Sequence, residues 1–118
     1  MIVVSGPYSH SNPDIKQIRV KAIADACVKL FQNGEMCSSP LLAGLSFIEK
    51  SSHKMPDDYA FWQKFCRAYV EKGHKLYVLD LDGWQESSGV KDEIDCAIEN
   101  TIPVYLVEPT TLNIIKQL

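Results

Sequence analysis

The densest group of reactive side chains lies between Gly83 and Glu93, in the run GWQESSGVKDE. It follows the apolar stretch KLYVLD at 75–80, which reads as a strand, so Ser87-Ser88-Gly89 is expected to open a helix. Free backbone N–H groups and the positive end of the helix dipole gather at such a point. Two serines and a glycine there suit a phosphate or a ribose hydroxyl. Plain N-capping accounts for one of the serines but not for all three residues. Glu93 lies about one and a half turns further along. Its carboxylate is expected to look back toward the strand ends, at the edge of a Val90–Ile94–Ala97–Ile98 stripe, with Asp92 and Asp95 on the wetter side. Poor solvation at a stripe edge changes a carboxylate's basicity and fits it for acid–base or nucleophilic work. The ordinary alternative is a solvated helix glutamate.

A second group is Gly6-Pro7-Tyr8-Ser9-His10-Ser11, after the short β-branched run Ile2 to Ser5. Gly6 permits close backbone approach to a ligand, Tyr8 offers a phenol, and Ser9 and Ser11 offer hydroxyls. Ser11 also reads as part of an ordinary turn cap. Trp84 either stacks on a base or pins its loop. Trp62 reads as core on the apolar face of its helix.

The elements that must position these groups alternate. Strands are expected at Ile2 to Ser5, Glu35 to Ser39, Lys75 to Asp80 and Pro103 to Val107. Helices are expected from Asn12-Pro13 to Asn33-Gly34, around Leu45 to Glu49, from Pro56-Asp57-Asp58 to Gly73, from Ser87 to Asn100, and from Thr111 to Gln117. Apolar faces are read at Ile15, Ile18, Ala22, Ala26, Val28 to Leu30 and Phe31 for the first helix, and at Tyr59, Trp62, Phe65, Cys66 and Tyr69 for the third. The reading is α/β: a Rossmann-like or flavodoxin-like three-layer sandwich with a four- to five-stranded parallel sheet. Ligands of such folds sit outside the carboxyl ends of the strands, which selects the loops Gly6 to Asn12, Ser38 to Leu42 and Leu81 to Gly89.

The 118 residues fit one domain. The net charge of −3 and the lack of a Lys/Arg cluster argue against a polynucleotide partner. No apolar run is long enough to span a membrane, and MIVVSGPYSH lacks the basic start of a signal peptide. Cys27, Cys37, Cys66 and Cys96 show no CxxC spacing and fall inside predicted elements, as reduced thiols of a cytoplasmic protein would. Three scattered histidines and no HExxH leave no expected metal site. A small core makes self-association a natural way to complete a site.

Gly-Pro-Tyr after the first strand, with Ser-Ser-Gly-Val-x-x-Glu opening a late helix, resembles the nucleoside 2-deoxyribosyltransferase superfamily, which includes 2'-deoxynucleoside 5'-phosphate N-hydrolases. The likeness runs through nearly the whole chain in the same order. It implies a homo-oligomeric enzyme without cofactor that cleaves the N-glycosidic bond of a nucleoside or nucleotide. Glu93 would be the nucleophile, and Tyr8 would hold that carboxylate or the sugar. Ser87 stands where transferases carry a sugar-binding aspartate. Phosphate-binding members use serine in this region, so Ser87 and Ser88 point to a 5'-monophosphate. The helix aspartate of many relatives falls near Cys66 or Arg67 here, with Asp57 or Asp58 as substitutes. No Asn-containing C-terminal segment matches that of the transferases, which favours hydrolysis over transfer. The rival reading is a non-catalytic nucleotide-binding module with the same pocket.

Overall fold

The structure, a computed structural model, describes residues 1–118. Five strands form one sheet: β1 (Ile2–Ser5), β2 (Cys37–Ser38), β3 (Lys75–Leu79), β4 (Val104–Val107) and β5 (Ile114–Gln117). The helices are α1 (Pro13–Gln32), α2 (Pro40–Lys50), α3 (Tyr59–Lys72) and α4 (Ser88–Glu99). The strand order is β2-β1-β3-β4-β5. β1 pairs in parallel with β2 and β3, and β3 with β4, while β5 runs antiparallel to β4. This is the expected flavodoxin-like α/β sandwich, with one antiparallel strand at its edge. The chain reverses direction across the sheet between β1 and β3, and the carboxyl ends of four strands share one rim.

Alternation along the strands builds two cores. Ile2, Val4, Tyr77 and Leu79 face Ile23, Ala26, Cys27 and Leu30 of α1. Val3, Leu76, Val78 and Leu106 face Val70 of α3 and Val90, Cys96 and Ala97 of α4. Burial on both faces explains why β1 and β3 are apolar almost throughout.

The helix starts follow local chemistry. Asn12 caps α1 by accepting from Asp14 N–H, and Pro13 supplies a preset φ at the first position. Ser39 caps α2, which opens at Pro40 and so begins earlier than the expected Leu45. Gly34, at φ +83°, closes α1 in the left-handed region.

Three sequence expectations are corrected. Thr111 to Gln117 is a turn and a strand, not a helix. Glu108 accepts hydrogen bonds from Thr110 and Thr111 N–H, Leu112 adopts φ +61°, and the β-branched Ile114-Ile115 pair then suits a hairpin strand on β4. The second strand shrinks to Cys37–Ser38. The buried stripe of α1 is Ile23, Ala26, Cys27 and Leu30, and Ile18, Val28 and Phe31 are exposed.

α2 and α3 meet at Gly44, where a Cβ would stand 2.5 Å from Trp62 Cζ3. Trp62 itself stacks edge-on against Phe61 and Phe65 at centroid distances of 5.3 and 5.2 Å, so its ring has neighbours on two sides. Gly44→Ala is therefore expected to lower the unfolding free energy by about 1–3 kcal/mol in urea titration, the range of an overpacked core.

Candidate active site

The site forms where β1 ends, between α3 and α4. α4 begins at Ser87, whose hydroxyl accepts from Val90 N–H at 3.2 Å. The buried face of this helix is Val90, Glu93, Cys96 and Ala97, which places Glu93 in the middle of the apolar stripe and not at its edge. Ile98, expected inside, is 58 % exposed. Glu93 is 9 % exposed and the one carboxyl among the buried polar residues Ser5, Ser39 and Glu93.

Ser5, the last residue of β1, puts its hydroxyl beside the Glu93 carboxyl. Neither Ser5 Oγ nor Glu93 Oε2 has a hydrogen-bond partner of normal geometry. Burial pushes the Glu93 carboxyl up to about 8. The Ser5 hydroxyl favours its ionised form, and the negative charge of Asp92 works against that form. On the α3 side, Cys66 stands close enough to Glu93 and Asp92 that its thiol is pushed up to about 12, chiefly by burial and then by these two carboxylates. A thiol held there is not a proton donor at neutral pH.

The chain brings the expected residues to one rim, with different duties. Gly6 follows Ser5 directly, and a Cβ there would stand 3.0 Å from Ile23 Cδ1, so its smallness lets the turn pack on α1. The Tyr8 ring is half-buried with Lys16 Nζ 5.5 Å from its centroid, and its hydroxyl makes no hydrogen bond to Glu93. Ser9 is exposed. Trp84 sits in a short 3₁₀ turn (Trp84–Glu86) and packs its half-buried ring against the α4-side core, which accounts for its pinning the loop. Ser88 and Gly89 occupy the exposed first turn of α4. Asp58 is exposed and caps α3 by accepting from Phe61 N–H at 3.1 Å; this end-of-helix duty explains its presence without a ligand.

Three contributors escaped the sequence reading. Ser5 reads as the end of a strand, although a hydroxyl in an otherwise apolar IVVS run is itself a signal. Arg19 donates to the carbonyls of Ser9 at 2.8 Å, Tyr8 at 3.5 Å and Asp82 at 2.9 Å, tying the loop after β1 to the loop after β3. Gly83, at φ +89°, makes this possible, because a Cβ there would stand 2.6 Å from Arg19 Nη2. Asp92, expected on the wetter side, is only 13 % exposed and is bound by Arg67.

Chemically, a carboxyl group in a dry setting next to an unpartnered hydroxyl can act as nucleophile or as acid–base group. No group of three or more His, Cys, Asp or Glu side chains is arranged to hold a metal ion. No helix is long and apolar enough to cross a membrane.

A carboxyl whose folded value lies above its unfolded one favours the folded state while it stays protonated. That contribution is complete below about 4.5, the ordinary value, and is lost as pH rises through about 8. Glu93→Gln, which cannot ionise, is therefore expected to unfold at nearly the parent midpoint at pH 4. At pH 9 it should be more stable than the parent by on the order of a few kcal/mol, read by urea unfolding at the two pH values.

Among curated proteins none matches this chain. The family profile described as "Domain of unknown function (DUF1937)" matches residues 1–109, almost the full length, and the chain belongs to that family.

Proposed function

We propose that this protein cleaves the N-glycosidic bond of a nucleoside or nucleoside 5'-monophosphate, with Glu93 as nucleophile. The observation that carries the reading is the buried Glu93 carboxyl with an unpartnered Oε2, set beside Ser5 at the rim where β1 ends. A dry carboxylate opposite a sugar's anomeric carbon is suited to an oxocarbenium-like transition state, whose positive charge it stabilises.

In the first step one Glu93 oxygen bonds to C1', the C1'–N bond breaks, and the base leaves with the bonding pair and takes up a proton from solvent. In the second, water adds to C1' and gives up a proton to solvent, the C1'–O bond of the ester breaks, and the carboxylate returns. The exposed amino end of α4, with Ser88 and Gly89, offers free N–H groups to a 5'-phosphate. Tyr8, Ser9 and Trp84 line the loops through which the sugar and base would be held. The four unpaired cysteines fit a reducing compartment such as the cytoplasm. Self-association fits the exposed Phe47 and Ile48 on α2.

One observation favours a rival. Cys66, high in its proton affinity, stands in the region where relatives carry an aspartate, and Asp58 serves as a helix cap. A pocket without a competent acid would bind nucleotide and release nothing.

The discriminating experiment incubates the protein with a panel of nucleosides and nucleoside 5'-monophosphates and follows free base by chromatography. Base release is expected, with kcat/KM climbing as pH rises toward about 8, because the free protein must ionise Glu93 to attack. Glu93→Gln is expected to lower the rate by at least about a thousandfold. Thermal shift by a nucleotide with no base released by the parent would establish the binding module instead.

Gly89 provides a second check. A Cβ there would meet only Ser87 Oγ, at 3.9 Å, so nothing inside the fold requires glycine. Gly89→Ala is expected to stabilise the fold by about 0.5–1 kcal/mol while weakening nucleoside 5'-monophosphate binding severalfold, measured by calorimetry. Unchanged affinity would remove the phosphate from this end of α4.

A further inference from the structure

The carboxyl next in sequence to Glu93 has a contact set that the hydrolytic reading does not use. Asp92 Oδ1 accepts from Arg67 Nη2 at 2.7 Å, from Arg67 Nε at 3.2 Å and from Gln63 Nε2 at 2.9 Å, and Oδ2 accepts from Arg67 Nε at 3.1 Å. Arg67 Nη1 continues to Glu99 at 3.0 Å, about two turns further along the same face of α4. A planar guanidinium thus grips α4 at two points from α3. The pair is mostly shielded, with side-chain exposures of 26 % for Arg67 and 13 % for Asp92. Burial alone would raise the Asp92 carboxyl. The hydrogen bonds from Arg67 and Gln63, with the Arg67 charge, outweigh it and hold Asp92 below the usual range, so Asp92 remains ionised at neutral pH.

Geometry links this grip to Glu93. Successive residues on a helix differ by about 100° in direction, so fixing Asp92 toward α3 fixes Glu93 toward β1. The same helix α3 contributes Cys66, the residue before Arg67, to the wall around Glu93. The groups that face Glu93 are therefore Ser5 from β1, Cys66 from α3 and Asp92 from α4 itself, with the positive Arg67 reaching it only through Asp92. Among them Asp92 alone carries a negative charge at neutral pH.

We infer that Asp92, clamped by Arg67 and Gln63, is a positioning residue that aims Glu93 at the rim and holds a fixed negative charge beside its carboxyl. The part concerning reaction rests on the reading of Glu93 as nucleophile. The part concerning ionisation does not. Burial sets most of the pH at which Glu93 ionises, and the fixed Asp92 charge beside it raises that pH further.

The test follows the Glu93 carboxyl by 13C NMR in protein labelled at glutamate side-chain carboxyl carbons, with the resonance assigned by its loss in Glu93→Gln. Asp92→Asn keeps an acceptor for Arg67 and removes the charge. It is expected to lower the Glu93 midpoint by about one pH unit. If base is released, the kcat/KM profile should move to lower pH by the same amount. Asp95→Asn, an equal charge change on the exposed face of α4, should move neither. If Asp92→Asn does not fold, the double variant Asp92→Asn, Arg67→Gln removes both members of the shielded pair and frees only the exposed Glu99, and the same direction is expected of it. A Glu93 midpoint within about 0.3 of the parent in the folded variant overturns the inference even if base release proceeds. A shifted midpoint in a protein that releases no base would leave the clamp standing and remove the glycosidase reading.

Discussion

The cost of burying a carboxyl group without a partner organises this molecule. A core position in the middle of an apolar helix stripe ordinarily takes a hydrocarbon, and Glu93 occupies one. Its Oε2 and the Ser5 hydroxyl next to it stay unpaired at the rim of a parallel sheet. An unpartnered buried carboxyl of this kind costs the fold stability that the surrounding packing must offset. The rest of the chain can be read as the means of holding that defect in place: two apolar cores fix β1 and α4, and the strand order puts the opening between β1 and β3.

Two polar devices brace the opening from different sides. Arg19 fastens the turn after β1 to the loop after β3 through backbone carbonyls alone, and Gly83 clears the space for its guanidinium. Arg67 fastens α3 to α4 through carboxylates. The first sets loop positions through neutral acceptors. The second depends on charge. Two surface depressions, about 400 Å³ on the outer face of α3 and about 360 Å³ beside β4 and β5, are lined by neither Glu93 nor Ser5. The Glu93 carboxyl is buried and lies outside both hollows.

Much of the fold was legible because its signals are local. Asn12-Pro13, Asn33-Gly34 and Ser87 mark helix ends through hydrogen bonds within a few residues, and Ile2 to Ser5 and Lys75 to Leu79 are apolar because both sheet faces are covered. The α/β alternation followed from these. The hairpin at the end was misread because its cause, the Glu108 carboxylate tying Thr110 and Thr111, is a turn without glycine. Within the site, the Ser87 cap and the poor solvation of Glu93 were legible from spacing. Its depth was misjudged because Ile98 looks like a core residue, whereas the true stripe centres on Glu93. Arg19, Asp92 and Arg67 could not be found that way: each acts through a partner 10 or more positions away in the chain. Long-range pairing of charged groups leaves no periodic trace in a sequence.

The hairpin strand β5 has a further consequence for the sheet. All four of its residues are exposed, so it adds little core, yet it covers β4, where Val104, Leu106 and Val107 are fully apolar and buried. Without that cover β4 would present a flat hydrophobic border with unpaired backbone groups, a template onto which another chain's strand could grow. β5 moves the border outward to a short strand bearing Lys116, whose charge disfavours such growth. β5 thus takes the place of β4 at the sheet edge, and a shortened protein ending after β4 would lay that apolar border open while keeping the rim where β1 ends.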